Sequence, residues 1–547
     1  MQSLLQHRRL RAEVREDLSR SRRAISSASP TASTRTSNSE PALDYDTKET
    51  DVEDPVEPHL VNGAPTVPGV TVSHPEDSKA SFIFVVGWRE NDPNNPKDWS
   101  LGKKWLVIAT TCIITASLTI PTSVEAPAQD AFDAHFEVND LAGSMTTGIF
   151  LIGVAVGSLF SGPFSETFGR NAVYISTMIV VMLFIMAKAL APNYGAAIAF
   201  RFLSALFAAA PMTVMGGTIG DILTPEQLPW GLPFTTFTAY SGPILGPVIG
   251  AYTPKIGFAW ADWISMILIG ASLVLAIVVF PETYSPVLLE WKAKHLRDQT
   301  GDSRYHAVGV SGSLGSRLLT NVYRPFTMIW TEPIILVFSF YLVLLYTVLF
   351  AFLNGYPYIF QYPYGISTGL TFIIFAAMMP GVGVALALIP LMLHLTKKAA
   401  ARARAVGQTT PPEVSLYWSM AGASILMPIS LFWMAWTCYS SVSIWSPIVA
   451  SGVFGYSLVC IFTTSYMYII SVYRTYAASA LGFMTFSRYL ISGALIPGTT
   501  KMYQSIGPHY SLTIVAIVAS FMAPVPFVLY KHGSKLRAMS KNAQNKE

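Results

Sequence analysis

Only a few ionisable side chains stand in or beside the long apolar runs of this 547-residue chain, and they are the groups that could do chemistry there. Glu125, Asp221, Asp262 and Glu332 sit at the ends of such runs, and Arg201 and Arg488 lie inside them. A carboxylate in apolar surroundings has its charged form disfavoured, so it can take up and release a proton near neutral pH, and a neighbouring base tunes that exchange. An arginine inside an apolar helix costs about 2.5 kcal/mol or more, so Arg201 is expected to face a bundle interior rather than lipid. Arg201, Asp221 and Glu125 are therefore the candidates for a coupling site, while Arg488 reads as a packing residue. The competing reading makes the acids helix caps and lets Arg201 snorkel to the interface.

Other chemistry is poorly provided for. No nucleophile and base stand in a recognisable constellation, and no G-x-x-x-x-G-K-[ST] phosphate loop occurs. Cys112, Cys438 and Cys460 lack the paired spacing of a disulfide framework or metal site. The expectation is a protein that is no enzyme and needs no cofactor or metal.

The elements that must position these residues are membrane helices. Hydrophobic residues make up 52% of the chain and charged residues 12%, against about 25% charged in a typical soluble domain. Twelve apolar runs of crossing length fall near 104–124, 141–162, 172–191, 196–220, 230–253, 260–280, 333–353, 369–392, 416–437, 444–469, 478–498 and 510–530. Basic residues collect in alternate connections, at Arg170, at Lys292 to Arg324, at Lys397 to Arg404 and at Lys531 to Arg537. Loop 125–140 has five acids and no Lys or Arg, while Lys188, Lys255 and Lys501, at or near outer helix ends, are the exceptions to the alternation. The positive-inside rule then places both termini in the cytosol. A formal net charge of +4 is too small to imply nucleic acid, so the expected partners are the lipid bilayer and a small molecule, with the chain a monomer.

Domain organisation follows. Residues 1–80, rich in Arg, then Ser/Thr, then acids, read as a disordered cytosolic tail, and residues 81–280 as a six-helix bundle. A cytosolic linker spans 281–325, with a basic amphipathic stretch at 289–297 expected along the membrane surface. A second six-helix bundle covers 326–530, followed by a cytosolic tail, 531–547. Two bundles joined by a linker can rock about a shared cavity, as alternating access requires.

Two glycine-marked segments bear on motion. Gly162-Pro-Phe-Ser-Glu166-Thr-Phe-Gly169-Arg170 reads as a charged turn at a membrane surface, in which Glu166 and Arg170 can pair across a helix junction as a latch. In the fifth run, Gly242, Gly246 and Gly250 recur at spacings of four and let another helix approach closely, while Pro243 and Pro247 weaken the backbone ladder. The first segment resembles the G-x-x-x-D-x-x-G-R-[KR] pattern of the major facilitator superfamily, with Glu166 and Asn171 as departures. Arg201-Phe-Leu-Ser-Ala205 resembles that superfamily's R-x-x-x-G signature, with Ala for Gly. The fifth run is similar to the G-P-x-x-G-P-x-x-G-G motif of proton-coupled drug antiporters, with Ala251 last. Asp92-Pro-Asn-Asn-Pro-Lys-Asp-Trp99, Pro281-Glu-Thr-Tyr284, Arg324-Pro-Phe326, Glu332-Pro333 and Ala478-Ser-Ala480 narrow the resemblance to the fungal twelve-span drug:proton antiporters, over roughly residues 90–540. Leu228 stands where a base is usual, and Ser471 where an Asp is frequent.

The resemblance implies an all-α membrane fold of twelve helices in two six-helix bundles, working as a proton-driven efflux pump in a fungal plasma membrane. Tyr341, Tyr346 and Phe350, with Phe454, Tyr456, Phe462 and Tyr466, offer aromatic surfaces and hydroxyls in a cavity otherwise poor in charge. They suit a small amphipathic or aromatic compound, either a xenobiotic or a self-made metabolite such as a toxin. A nutrient symporter and a non-transporting membrane sensor are the alternatives.

Overall fold

A computed structural model describes residues 1–27, 60–61, 64–65, 67–73, 83–224, 227–307, 315, 319, 323–324, 326–328, 331–405, 407, 411–473 and 477–541. Much of the expected N-terminal tail and of the linker's second half lies outside the described residues. The chain divides into two compact units, residues 1–99 with 281–311, and residues 100–280 with 312–547.

In the larger unit, ten runs among the described residues are long and apolar enough to cross a membrane. The last, Ser479–Met539, holds two crossings divided at Gly507, whose φ of 75° breaks the helix, and Leu228–Gly250 supplies one more, so the spans number twelve. They are numbered 1 to 12 in chain order. Span 1 is Leu101–Thr119, span 2 Asp140–Phe168, span 3 Arg170–Ala189, span 4 Tyr194–Ile222, span 5 Leu228–Gly250 and span 6 Trp260–Val279. Span 7 begins with Pro333–Tyr356, span 8 runs within Thr368–Ala405, span 9 within Pro412–Ala435 and span 10 is Trp445–Tyr473. Spans 11 and 12 divide Ala477–Met522, the latter continued by Val525–Met539. Asn139 and Asn193 start spans 2 and 4 by accepting the amides of Ala142 and Ala196, each at 2.9 Å.

Glycines set the closest helix pairs, because a missing Cβ lets backbones touch where lipid provides no hydrophobic drive for helix pairing. A Cβ on Gly157 of span 2 would lie 2.1 Å from the Leu206 carbonyl of span 4, and one on Gly381 of span 8 would lie 1.8 Å from the Gly452 carbonyl of span 10. The same contact thus recurs between corresponding spans of the two halves. Gly153 faces Ala205, which is how alanine is accommodated at the end of the arginine signature. Between the halves, Gly148 of span 2 meets Gly493 of span 11, and Gln504 donates to Asp140 at 3.1 Å.

Several segments differ from the sequence reading. The stretch 162–168 is no turn: span 2 stays helical to Phe168, and the reversal is made by Gly169 alone, at φ 91°. The C-terminal residues to Met539 are helix rather than tail, with Arg537 buried against Glu413 and the Ser540 hydroxyl on Glu332. Residues 83–99 and 281–311 form the smaller unit with residues 2–27, which are a helix and not disordered. Three strands, β1 (Val70–Ser73), β2 (Ile83–Val86) and β3 (Tyr305–Ala307), add a small sheet to a helical protein, antiparallel between β1 and β2 and parallel between β2 and β3.

The N-terminal helix Gln2–Ser27 forms because Leu10, Val14 and Leu18 repeat every four residues and are buried. Its seven arginines through Arg23 carry the polar faces, which hid this stripe in the composition. Val14 and Leu18 pack with Leu289, Ala293 and Leu296 of the helix Ser285–Thr300 and with Phe84, Val86 and Tyr305 of the sheet. The apolar face of 289–297 is therefore covered by protein, not lipid. Arg89 pairs with Glu13, and the Gln6 side chain exchanges two hydrogen bonds with the Glu282 backbone. Leu296→Ala should cost about 2 kcal/mol or more and raise the open population of the N-terminal helix about 30-fold, read as faster tryptic cleavage between Arg8 and Arg23. Unchanged cleavage would show that this core does not hold the helix.

Candidate functional site

The site begins with a proline. Pro247 has no N–H, so the Pro243 carbonyl four residues earlier lacks its helical donor, and the Ser123 hydroxyl supplies one at 2.9 Å. Ser123 can reach it because span 5 turns its glycines toward the end of span 1. A Cβ on Gly242 would strike the Thr119 hydroxyl at 1.9 Å, one on Gly246 would lie 2.2 Å from the Ser123 hydroxyl, and one on Gly250 would lie 2.1 Å from the Val124 carbonyl. Span 1 passes into a 3-10 turn over Ile120–Thr122 along this ridge, and the next acidic residue is Glu125.

Glu125 is buried and meets two bases. The Arg201 guanidinium lies 2.6 Å and the Lys188 ammonium 2.9 Å from Glu125 Oε1. Lys188 also reaches Asp262 at 2.8 Å, so one ammonium bridges two carboxylates, one from the connection after span 1 and one from span 6. Arg201 is 1% exposed, donates to the Pro121 carbonyl at 2.5 Å and lies 4.4 Å from the Phe150 ring centroid. These contacts place it in the interior rather than snorkelled. Two acids and two bases, each under a tenth exposed, make a neutral network in which protonating either acid unbalances the rest.

Asp221 is not part of it. The carboxylate stands on the same helix as Arg201 but twenty residues later, about 30 Å along the axis, and accepts from Arg170 Nε at 2.9 Å. Arg170 also donates to the Ser165 hydroxyl, and Gly217 leaves it room, since a Cβ there would lie 3.0 Å from Nη2. Arg170 thus has a charge partner in Asp221 on span 4, one that the reading of Glu166 and Arg170 as a pair did not anticipate. Asn171, at a position where a base is usual, donates to the Phe280 carbonyl at 2.6 Å and caps span 6. The contact of span 2 with span 11 at Gly148 and Gly493 lies far along the helix from Gly169, nearer the opposite end.

A third constellation lies where the halves meet. Arg488 of span 11 sits 4.8 to 5.6 Å from the ring centroids of Tyr346, Phe462, Tyr466 and Tyr489. Tyr240 of span 5 packs edge-on against Phe462 at 5.2 Å. Tyr346, Phe462 and Tyr466, three expected cavity residues, belong to this cage, and Phe350 adjoins Tyr346 at 6.0 Å. Tyr341 and Tyr456 do not. Tyr341 is buried outside the ring set, and Tyr456 donates to the Ala421 carbonyl at 2.8 Å. Sequence reasoning missed Tyr240 and Tyr489 and set Arg488 and Lys188 aside. Their signal was an ionisable or hydroxylated side chain inside an apolar span.

The fold and these sites define a polytopic transporter built from two six-helix halves. The Major Facilitator Superfamily profile matches residues 106–497. MFS-type transporter kojT of Aspergillus oryzae is 41% identical over 493 residues, covering 87% of this chain and 86% of that protein. MFS-type efflux pump MFS2 of Trichophyton rubrum is 30% identical over 485 residues, covering 88% of this chain and 81% of that one. The human organic anion transporter MFSD10 shares the fold, with a TM-score of 0.52 at 14% identity over 78% of this chain and 99% of its own. The chain belongs to the major facilitator superfamily, and its relatives include fungal transporters and efflux pumps.

Two substitutions test the site. Gly250→Ala forces a Cβ into the Val124 backbone and should cost about 1–3 kcal/mol, lowering the melting temperature of the purified protein, whereas Gly216→Ala, with open space at its Cβ, should not. Equal melting temperatures would mean that the ridge is slack. Arg201→Ala leaves Glu125 with Lys188 alone and should cost about 3–5 kcal/mol, part of which returns when Glu125→Gln is added. Strictly additive losses in thermal unfolding would show that the pair is uncoupled.

Proposed function

We propose that this chain is a proton-coupled antiporter in the cell membrane, exporting small amphipathic or aromatic organic compounds by alternating access, with both termini cytosolic. The observation that carries the reading is the buried network of Glu125, Arg201, Lys188 and Asp262 resting on the span 5 ridge. Proton uptake on Asp262 or Glu125 removes a negative charge next to Lys188, and the network must then rearrange or release its hold on the end of span 1. Span 1 contacts span 5, so a change there reaches the half-to-half boundary where Tyr240 meets Phe462. In the present conformation the halves touch through Gly148 and Gly493, toward the Asp140 end, which this reading assigns to the outside. Arg170 and Asp221 stand at the other end as a charge pair that a rocking motion can strain and restore.

Relatives named as efflux pumps, and the doubled Gly-Pro motif of span 5, support export rather than uptake. Multidrug resistance and toxin export are the physiological forms this activity would take. The test is accumulation of a fluorescent amphipathic compound in cells with and without the protein. Accumulation should fall when the protein is present and recover with a protonophore; indifference across a broad compound panel would sink the reading. In proteoliposomes, Asp262→Asn should keep equilibrative exchange of a carried compound but lose its response to an imposed pH gradient. An intact response would move the coupling group elsewhere.

A further inference from the structure

Four arginines among the described residues are buried, and three of them have a carboxylate within ion-pair distance: Arg170 has Asp221, Arg201 has Glu125 and Arg537 has Glu413. Arg488 is the exception. It is 6% exposed, and among the described residues no carboxylate lies within that range. Its one described side-chain hydrogen bond runs from Nη1 to the Tyr466 hydroxyl at 2.7 Å, itself held 3.1 Å from the Thr485 hydroxyl, and its Nε–H has no acceptor. The rings of Tyr346, Phe462, Tyr466 and Tyr489 lie around it. A planar cation in such a cage is attracted by the ring quadrupoles, but that attraction leaves its net charge in place.

The cage also stands at the right boundary. Tyr240 comes from span 5 in the first half, while Tyr346, Phe462, Tyr466, Tyr489 and Arg488 come from spans 7, 10 and 11 in the second. Any motion that parts the halves draws Tyr240 away from Phe462 and Tyr346 and opens one wall of the cage. What enters then meets a guanidinium fork with spare N–H donors, flanked by aromatic rings. A carboxylate matches that fork with two parallel hydrogen bonds, and a conjugated ring behind it takes the place vacated by Tyr240.

We propose that Arg488 and its aromatic cage form a cargo site for a planar organic anion, an aromatic or conjugated carboxylate, whose negative charge supplies the counter-ion that no described residue provides. This rests on the reading of the chain as an exporter and names the class of its cargo. The charge balance gives it a physical reason: with cargo bound, every buried arginine is paired.

The experiment uses the full chain purified in lipid, with naphthalene-2-carboxylate and its neutral amide as matched probes. Wild type should bind the carboxylate about tenfold more tightly than the amide, as charge-assisted hydrogen bonds outweigh neutral ones by about that factor. In Arg488→Gln that ratio should fall to near one, and Arg488→Lys, which keeps the charge but not the fork, should fall between. Binding is followed by ligand-induced thermal stabilisation and by fluorescence, so it does not depend on transport. Equal binding of the two probes by wild type overturns the proposal, as does protection by chloride alone equal to that by the carboxylate, which would make the cage an inorganic anion site. A folded Arg488→Gln that keeps the wild-type ratio would make the arginine a packing residue. Binding with the expected ratio but no proton-driven movement of either probe would sink the exporter reading while leaving the anion site in place.

Discussion

The carbonyl of Pro243, deprived of its helical donor by Pro247, is the constraint on which the rest of the first half depends. A backbone acceptor left unpaired in a membrane protein is costly, and here the segment after span 1 comes close enough to pair it through Ser123. Gly242, Gly246 and Gly250 make that approach possible by removing the side chains that would otherwise hold span 1 away. Once Ser123 is fixed, Glu125 two residues on has little freedom, and Arg201 and Lys188 close on it from spans 4 and 3. Asp262 then completes the charge balance through Lys188. A motif that looks like a packing device is thus also what holds a buried carboxylate in place.

Charge pairing divides the larger unit into regions of different character. At one end four charges share a sealed network, and at the other Arg170 and Asp221 pair beside the single-glycine reversal at Gly169. Between the halves the aromatic cage holds a cation with no carboxylate in ion-pair range among the described residues. Paired charges resist separation in low dielectric and therefore favour discrete arrangements over gradual drift, which suits a machine that alternates between two states. The smaller unit is built on a different plan, with a conventional hydrophobic core of helix and strand residues around Tyr305 and Phe84.

Much of the architecture was legible in the sequence because lipid imposes a simple rule: a helix that crosses must be long and apolar. The twelve spans, the division into halves and the ridge at Gly242 to Gly250 were all read from run length and spacing. The errors fell where solvent or protein covers a segment instead of lipid. The arginines of residues 8–23 masked the buried Leu10, Val14 and Leu18, and a charged, glycine-bracketed stretch at 162–170 was taken for a turn although helix continues to Phe168. Lys188 was set aside as an outer-end exception because its sequence neighbours do not include Glu125 or Asp262.

From the sequence alone came the kind of residue available at each depth: few acids, few bases, small residues at helical spacing, and prolines that leave carbonyls bare. Which of these meet was decided only by the tertiary structure. Glu125 and Arg201 are far apart in the chain, and so are Arg170 and Asp221, because their contacts cross between helices whose relative rotation no local spacing encodes. Arg488 shows the difference most plainly. Its burial is implied by the apolar span around it, but the absence of a carboxylate partner among the described residues, and the four rings around it with Tyr240 packed against Phe462, follow from how spans 5, 7, 10 and 11 converge.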